Sequence, residues 1–223
     1  LRWCRSGNVM IPPAQFIPVA EESGLIVEIG KWVLETACAD CKRWHQQGLK
    51  NVPVAVNLSP LQFKKGNLQH IIFKALNQAN LDPALLEIEI TESLLIDDVE
   101  HINRQLNYLS GKGITISIDD FGTGYSNLNY LSKFNANALK IDMSFIREMR
   151  TNKQQLHIVD AVIHISKVME LDNIAEGIED IETAELLTEM GCKYGQGYFW
   201  SKPVPYSDFL NLSLKNSKSY QYD

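Results

Sequence analysis

Residues Gly113–Asp120 read GITISIDD, and the chain continues FGTGYS to Ser126. Successive side chains of a strand point to opposite faces, so Ile114, Ile116 and Ile118 share one face and Thr115, Ser117 and Asp119 the other. The aliphatic face asks for a core, while the polar face runs into two adjacent acids and then Gly122 and Gly124. The split recurs. Ala55 and Asn57 oppose Val54 and Val56; Glu87 and Glu89 oppose Ile88 and Ile90; Ala138, Lys140 and Asp142 oppose Leu139 and Ile141. One run departs from it, since Ile174 shares parity with Glu176. A sheet wrapped by helices turns its aliphatic face outward, so the small and polar face is expected to line the interior of a closed barrel.

Helical patterns separate these runs. Ile26 to Gln47 carries Val27, Ile29, Val33, Leu34, Ala37, Cys38, Cys41 and Trp44 close to a 3.6-residue period. Further helices are expected at Gln69 to Ala79, Val99 to Lys112, Gln155 to Glu170 and Ile181 to Met190. The strand-like runs between them are VPVAVN, LLEIEITE, GITISIDD, ALKID, NIAEGIE and YGQGYF, and the alternation predicts an α/β fold with a parallel sheet. No composition break interrupts it, which favours a modified TIM-type (β/α) barrel over residues 1–213, with 214–223 as a polar tail.

The chain has 223 residues, 45% hydrophobic and 22% charged, enough for one sizeable core. Its net charge of -6 and the lack of a basic stripe exclude a long nucleic-acid footprint, while leaving room for a small anion held by metal ions. No long apolar run or leader pattern appears, so this segment is expected to be cytoplasmic and to make no membrane contact, whether or not a parent protein is membrane-anchored. Four scattered cysteines read as free thiols in a reducing compartment. Cys38, Cys41 and His45 share a helical face; zinc would need a fourth ligand at motif spacing, whereas a buried thiol pair needs nothing more.

The chemistry gathers at the carboxyl ends of the runs, at Asn57, Glu89, Asp119, Asp120, Lys140, Glu176 and Gln196. In parallel α/β barrels that end is the active face. Two unit charges about 4 Å apart repel by about 4 kcal/mol at an effective dielectric near 20, so several acids at one mouth must protonate or bind cations. Carboxylates with an amide oxygen are hard ligands and suit magnesium or manganese rather than zinc. Asp119 is expected to follow the inward face and Asp120 to emerge at the strand end, with the glycines relieving a tight loop; the alternative is a helix cap followed by a flexible turn. Glu87 lies deeper and is assigned a structural hydrogen bond. Lys140 has a structural alternative, pairing with Asp142. At least two of Tyr198, Phe199 and Trp200 are expected to pack beneath the rim, and no histidine falls at a strand end.

The motifs VNLSP, EIEITES, SIDDFGTGYSNL, KID, AEGIED and YGQGYFWSKP, in this order along the chain, resemble those of the EAL domain, named for a Glu-Ala-Leu stretch. The resemblance covers nearly the whole chain. It implies a barrel that hydrolyses cyclic di-GMP to linear pGpG with two divalent ions, Mg2+ or Mn2+. By that similarity Asn57, Glu89, Asp119, Asp120 and Glu176 hold metal, and Lys140 orients the attacking water and the scissile phosphate. Glu176 and Lys140 are then the catalytic residues. Arg2, Glu179 and Gln196 would meet the substrate, and Glu92 would steady the loop begun by Phe121. Ca2+ is expected to inhibit through its looser geometry. The family's naming Glu would lie before Leu1, so the barrel is expected to be incomplete at its N-terminus, and CRSG stands where the family has His-Pro. The implied partners are cyclic di-GMP, a second copy in a homodimer, and an upstream sensory or GGDEF domain. The competing reading is a noncatalytic cyclic di-GMP receptor.

Overall fold

A computed structural model describes residues 1–5, 9–65, 67–96, 99–124, 131 and 133–216. They fall into two compact units, Leu1–Leu86 and Glu87–Asp223. No helix among the described residues is long and apolar enough to cross a membrane.

The first unit opens with an antiparallel pair, β1 (Trp3–Arg5) and β2 (Val9–Ile11), in which Cys4 faces Met10. Helix α1 (Pro13–Ser23) follows, beginning inside the stretch CRSGNVMIPPAQF, residues 4–16, which reads as turn-rich in sequence. Proline is tolerated in a first helical turn because its missing N–H would have no partner there, so Pro12 and Pro13 start this helix rather than prevent it. Gly24, at φ 79, closes it by donating its N–H to the Glu21 carbonyl. Helix α2 (Ile26–Gln46) buries Ile26, Gly30, Leu34, Cys38, Cys41 and Trp44 along one stripe. Gly30 has to be glycine because a Cβ would collide with the side-chain amide of Gln62, whose Oε1 accepts from the Ser59 N–H at 3.0 Å. After α2 come β3 (Val54–Asn57), α3 (Pro60–Lys65), α4 (Leu68–Ala79) and a 3-10 turn at Pro83–Leu85. The last turn of α2 anchors the entry to β3: the Trp44 indole at 3.3 Å and a His45 ring nitrogen at 2.7 Å both reach the Val52 carbonyl.

The second unit begins with β4 (Leu86–Thr91), a 3-10 turn (Glu92–Ile96), α5 (Val99–Ser110) and β5 (Thr115–Phe121). It continues with β6 (Ala138–Ile141), α6 (Met143–Glu148), α7 (Lys153–Val168), β7 (Asp172–Glu176), α8 (Ile181–Glu189), β8 (Tyr194–Gln196) and α9 (Tyr206–Asn216). Residues 217–223, the end of the expected polar tail, lie outside the described residues. Strands β4 to β8 pair in parallel in chain order, with Glu89 beside Ser117, Leu139 beside Asn173 and Glu176 beside Gln196. This is the parallel sheet that the strand–helix alternation predicts.

Ile88, Ile90, Ile116, Ile118, Leu139 and Ile141 are buried, as are Leu106, Leu109, Val159 and Ile163 of the helices. Each such side chain contributes about 1.5–3 kcal/mol on leaving water. The polar faces are covered too, for Ser117, Asp119 and Lys140 are all buried. That burial is what makes the strand ends an electrostatic problem. Strand β8 is the exception, with all three residues exposed.

Cys38 and Cys41 are fully buried, and burial pushes both thiols up to about 11. The Cys41 sulfur lies 3.8 Å from His45 Nε2 and 3.6 Å from the Val52 carbonyl. These are the surroundings of packed thiols. A thiol reagent added to the native protein at pH 8 is therefore expected to label exposed Cys4 promptly and Cys38 and Cys41 only on unfolding. Mass mapping of the labelled peptides checks this; native labelling of Cys38 would contradict the packing.

Candidate active site

Four of the parallel strands deliver the reactive side chains. Glu89 comes from β4, Asp119 and Asp120 from β5, Lys140 from β6 and Glu176 from the last position of β7. The Lys140 Nζ lies 2.7 Å from Glu89 Oε1, 3.1 Å from Asp119 Oδ1 and 2.7 Å from Glu176 Oε1. Only 5% of the Lys140 side chain is exposed, so these ion pairs stand largely out of water.

Burial sets the electrostatics, and the neighbours modify it. Burial raises the Glu89 and Glu176 carboxyl pKa values; Lys140 opposes this at both, while Asp119 and Glu87 add to it at Glu89, and Asp119 and Glu89 at Glu176. For Lys140 burial works against the charge, yet Glu89, Asp119 and Glu176 more than offset it and the ammonium is held above its ordinary range. Asp120 is pushed up to about 6, first by burial and then by the charges of Asp119, Asp142 and Glu176.

Asp120 reaches this group through a backbone irregularity. It sits at φ 54, and the pairing of β5 with β6 shifts register between Ile118 and Phe121. The pair of acids is thus inside the strand, with neither a helix cap nor a simple strand end; the left-handed residue re-aims the second acid. The loop beyond is held by Glu92, which is buried and whose Oε2 accepts the Gly122 N–H at 3.0 Å. Gly122 takes φ 96, and a Cβ on Gly124 would stand 3.4 Å from Glu92 Oε1. Gly122 is therefore needed for its dihedral, whereas Gly124 stands at ordinary contact distance from the carboxylate.

Other expectations resolve differently. Lys140 pairs with the three acids above, while Asp142 caps α6 by accepting the Ser144 N–H at 2.9 Å. Asp142 is the residue the sequence reading undervalued: it faces Asp120, and the signal was its parity with Lys140. Glu87 accepts a hydrogen bond from the Ser117 hydroxyl. Glu179 is exposed and takes two bonds from Arg147, at 2.9 and 3.2 Å. Gln196 is exposed, and its carbonyl accepts the Ile178 N–H at 3.1 Å. Tyr198, Phe199 and Trp200 are all exposed instead of packed beneath a rim, because the chain turns directly after the three-residue β8. All five histidines lie in helices. Asn57 ends β3 and Arg2 is exposed beside β1, both in the first unit.

The donor set fits hard divalent cations by its chemistry, since its carboxylate oxygens converge on one point. In this arrangement an ammonium holds that point, and among the described residues no three His, Cys, Asp or Glu stand arranged as a metal cage.

Residues 1–203 match the EAL domain family. The signaling protein YkoW of Bacillus subtilis is 44% identical over 204 residues, 92% of this chain and 25% of that protein. The bifunctional diguanylate cyclase/cyclic di-GMP phosphodiesterase MucR of Pseudomonas aeruginosa is 41% identical over 210 residues, 94% of this chain and 31% of that protein. The chain thus spans about a quarter to a third of the length of these curated relatives. The solved structure of the PaMucR phosphodiesterase in its c-di-GMP complex superposes with a TM-score of 0.90 at 40% identity, covering 93% of this chain and 84% of that one. The likeness carries the fold with it: α/β, of the modified TIM-type (β/α) barrel class.

Replacing Glu92 by Ala leaves the Gly122 N–H without its charged acceptor. The expected cost is about 1.5–3 kcal/mol. Urea unfolding of the variant measures it, and an unchanged midpoint would show that the loop does not depend on this carboxylate.

Proposed function

We propose that this chain, which belongs to the EAL domain family, hydrolyses cyclic di-GMP to linear pGpG. The observation that carries the reading is the convergence of Glu89, Asp119 and Glu176 on one buried point at parallel strand ends. Relatives that bear the phosphodiesterase name support it.

The proposed ligand set is Glu89, Asp119, Asp120 and Glu176, with Asn57 as the amide donor that the family resemblance adds. Two divalent ions there, magnesium or manganese, would lower the pKa of the attacking water and neutralise charge on the phosphate. Among the described strand residues of the second unit, Lys140 is the one cation. Its role is to orient the water and the scissile phosphate and to stabilise the charge that develops on the phosphate oxygens. Glu176 shares the reacting centre with Lys140. Glu92 keeps the loop after Phe121 in place, and Arg2, Glu179 and Gln196 are the proposed substrate contacts. The same reading includes a homodimer and an upstream sensory or GGDEF domain in the parent protein.

Incubation of the protein with cyclic di-GMP and Mg2+ or Mn2+ tests the reading. Release of pGpG supports the enzyme, whereas binding without product selects the receptor. Glu89→Gln and Asp119→Asn are each expected to cut turnover below about a hundredth of wild type, since loss even of outer-shell support costs metal sites 10–100-fold. Near-normal turnover in either variant would exclude the assignment. Calcium is expected to inhibit, and stimulation by calcium would count against the mechanism.

A further inference from the structure

We propose that Lys140 is the resident counter-ion of the metal-free site: its ammonium holds Glu89, Asp119 and Glu176 together and gives up carboxylate oxygens when divalent cations bind. This deepens the metal reading above and rests on it.

The argument starts from a count of donors. A lysine ammonium has three N–H groups and no acceptor. Lys140 meets three carboxylates at 2.7, 3.1 and 2.7 Å, which uses all three. While it holds that arrangement it has no proton to offer a water or a phosphate. The catalytic role proposed for Lys140 therefore requires that at least one carboxylate be released first.

The same oxygens are those a divalent cation would need. Ammonium and dication thus compete for Glu89, Asp119 and Glu176, and close approach of two positive charges adds repulsion. The lysine stem has little freedom to withdraw on its own, because Lys140 is itself only 4% exposed. Binding of one cation and release of the other are consequently one exchange. The lysine keeps the acids convergent without metal and frees its donors once metal takes over the charge.

Metal-stripped wild type, Lys140→Met and Lys140→Arg proteins separate the possibilities, with Mn2+ as the probe and calorimetric titration and thermal unfolding as readouts. Removing one partner of a buried ion group leaves uncompensated charge. Metal-free K140M is therefore expected to melt below wild type, to gain more in Tm from Mn2+, and to bind Mn2+ at least about tenfold more tightly. K140R keeps the charge and is expected to show no tightening. A K140M protein that folds only with Mn2+ is the same result in stronger form. A K140M protein that stays unfolded even with Mn2+ overturns the proposal, as does one whose metal-free Tm equals that of wild type. Binding of Mn2+ to wild type with no gain in K140M overturns the exchange alone. Failure of wild type to bind Mn2+ removes the metal reading itself, and the exchange with it.

Discussion

One ammonium among three carboxylates is the constraint around which the second unit is organised. Lys140, Glu89, Asp119 and Glu176 come from four strands, and each is carried into a largely dry environment by aliphatic neighbours. Burial alone would drive the acids toward their neutral forms. Lys140 offsets part of that cost, and removing one member of such a buried group costs about 3–5 kcal/mol because the remaining charges lose their partner. Yet one positive charge cannot balance three negative ones with Asp120 and Asp142 close by. The group stays short of cations, and the raised carboxyl pKa values express burial first and the neighbouring negative charges after it.

Backbone geometry gives the acids their aim. A regular strand would send Asp119 and Asp120 to opposite faces; the left-handed φ of Asp120 and the register shift beside it overcome the alternation. Gly177 does comparable work after β7. It takes φ 74, and a Cβ there would stand 2.5 Å from the Met143 side chain at the start of α6. Any larger residue would push Glu176 and α6 apart, and α6 begins at Asp142, two positions after Lys140. Close packing at Gly177 thus constrains the spacing between Glu176 and the start of α6.

The parallel order, the long helices and the membership of Glu89, Asp119, Lys140 and Glu176 in one site were legible because each rests on periodicity or on position at a strand end. Helix α1 was not, since Pro12 and Pro13 fall in a stretch of turn-rich composition, although both stand where a helix needs no N–H donor. The grouping of Lys140 with the strand-end acids follows from that shared position, and the alternative pairing with Asp142 is not the one made. Sequence spacing favours Asp142, but long-range pairing across β4, β5 and β7 supplies shorter contacts, and Asp142 is spent on capping α6. The exposure of Tyr198, Phe199 and Trp200 had no local signal. Aromatic composition announces burial, and only the brevity of β8 and the turn behind it decides otherwise.

The charge shortage also bears on which reactions this strand-end group could serve. A phosphodiester is an anion, and a cluster dominated by carboxylates repels it; Lys140 does not reverse the sign while its three N–H groups face three acids. On the proposed reading, phosphate chemistry at this centre would draw on cations brought from solution, whereas an anion-binding role without them would require a basic lining that the described strand ends do not have. Arg147, the nearest exposed guanidinium to these loops in sequence after Lys140, is itself held by Glu179. The same acids that make the metal-free group costly to bury are thus what would make it selective for a substrate that arrives with, or after, its counter-ions.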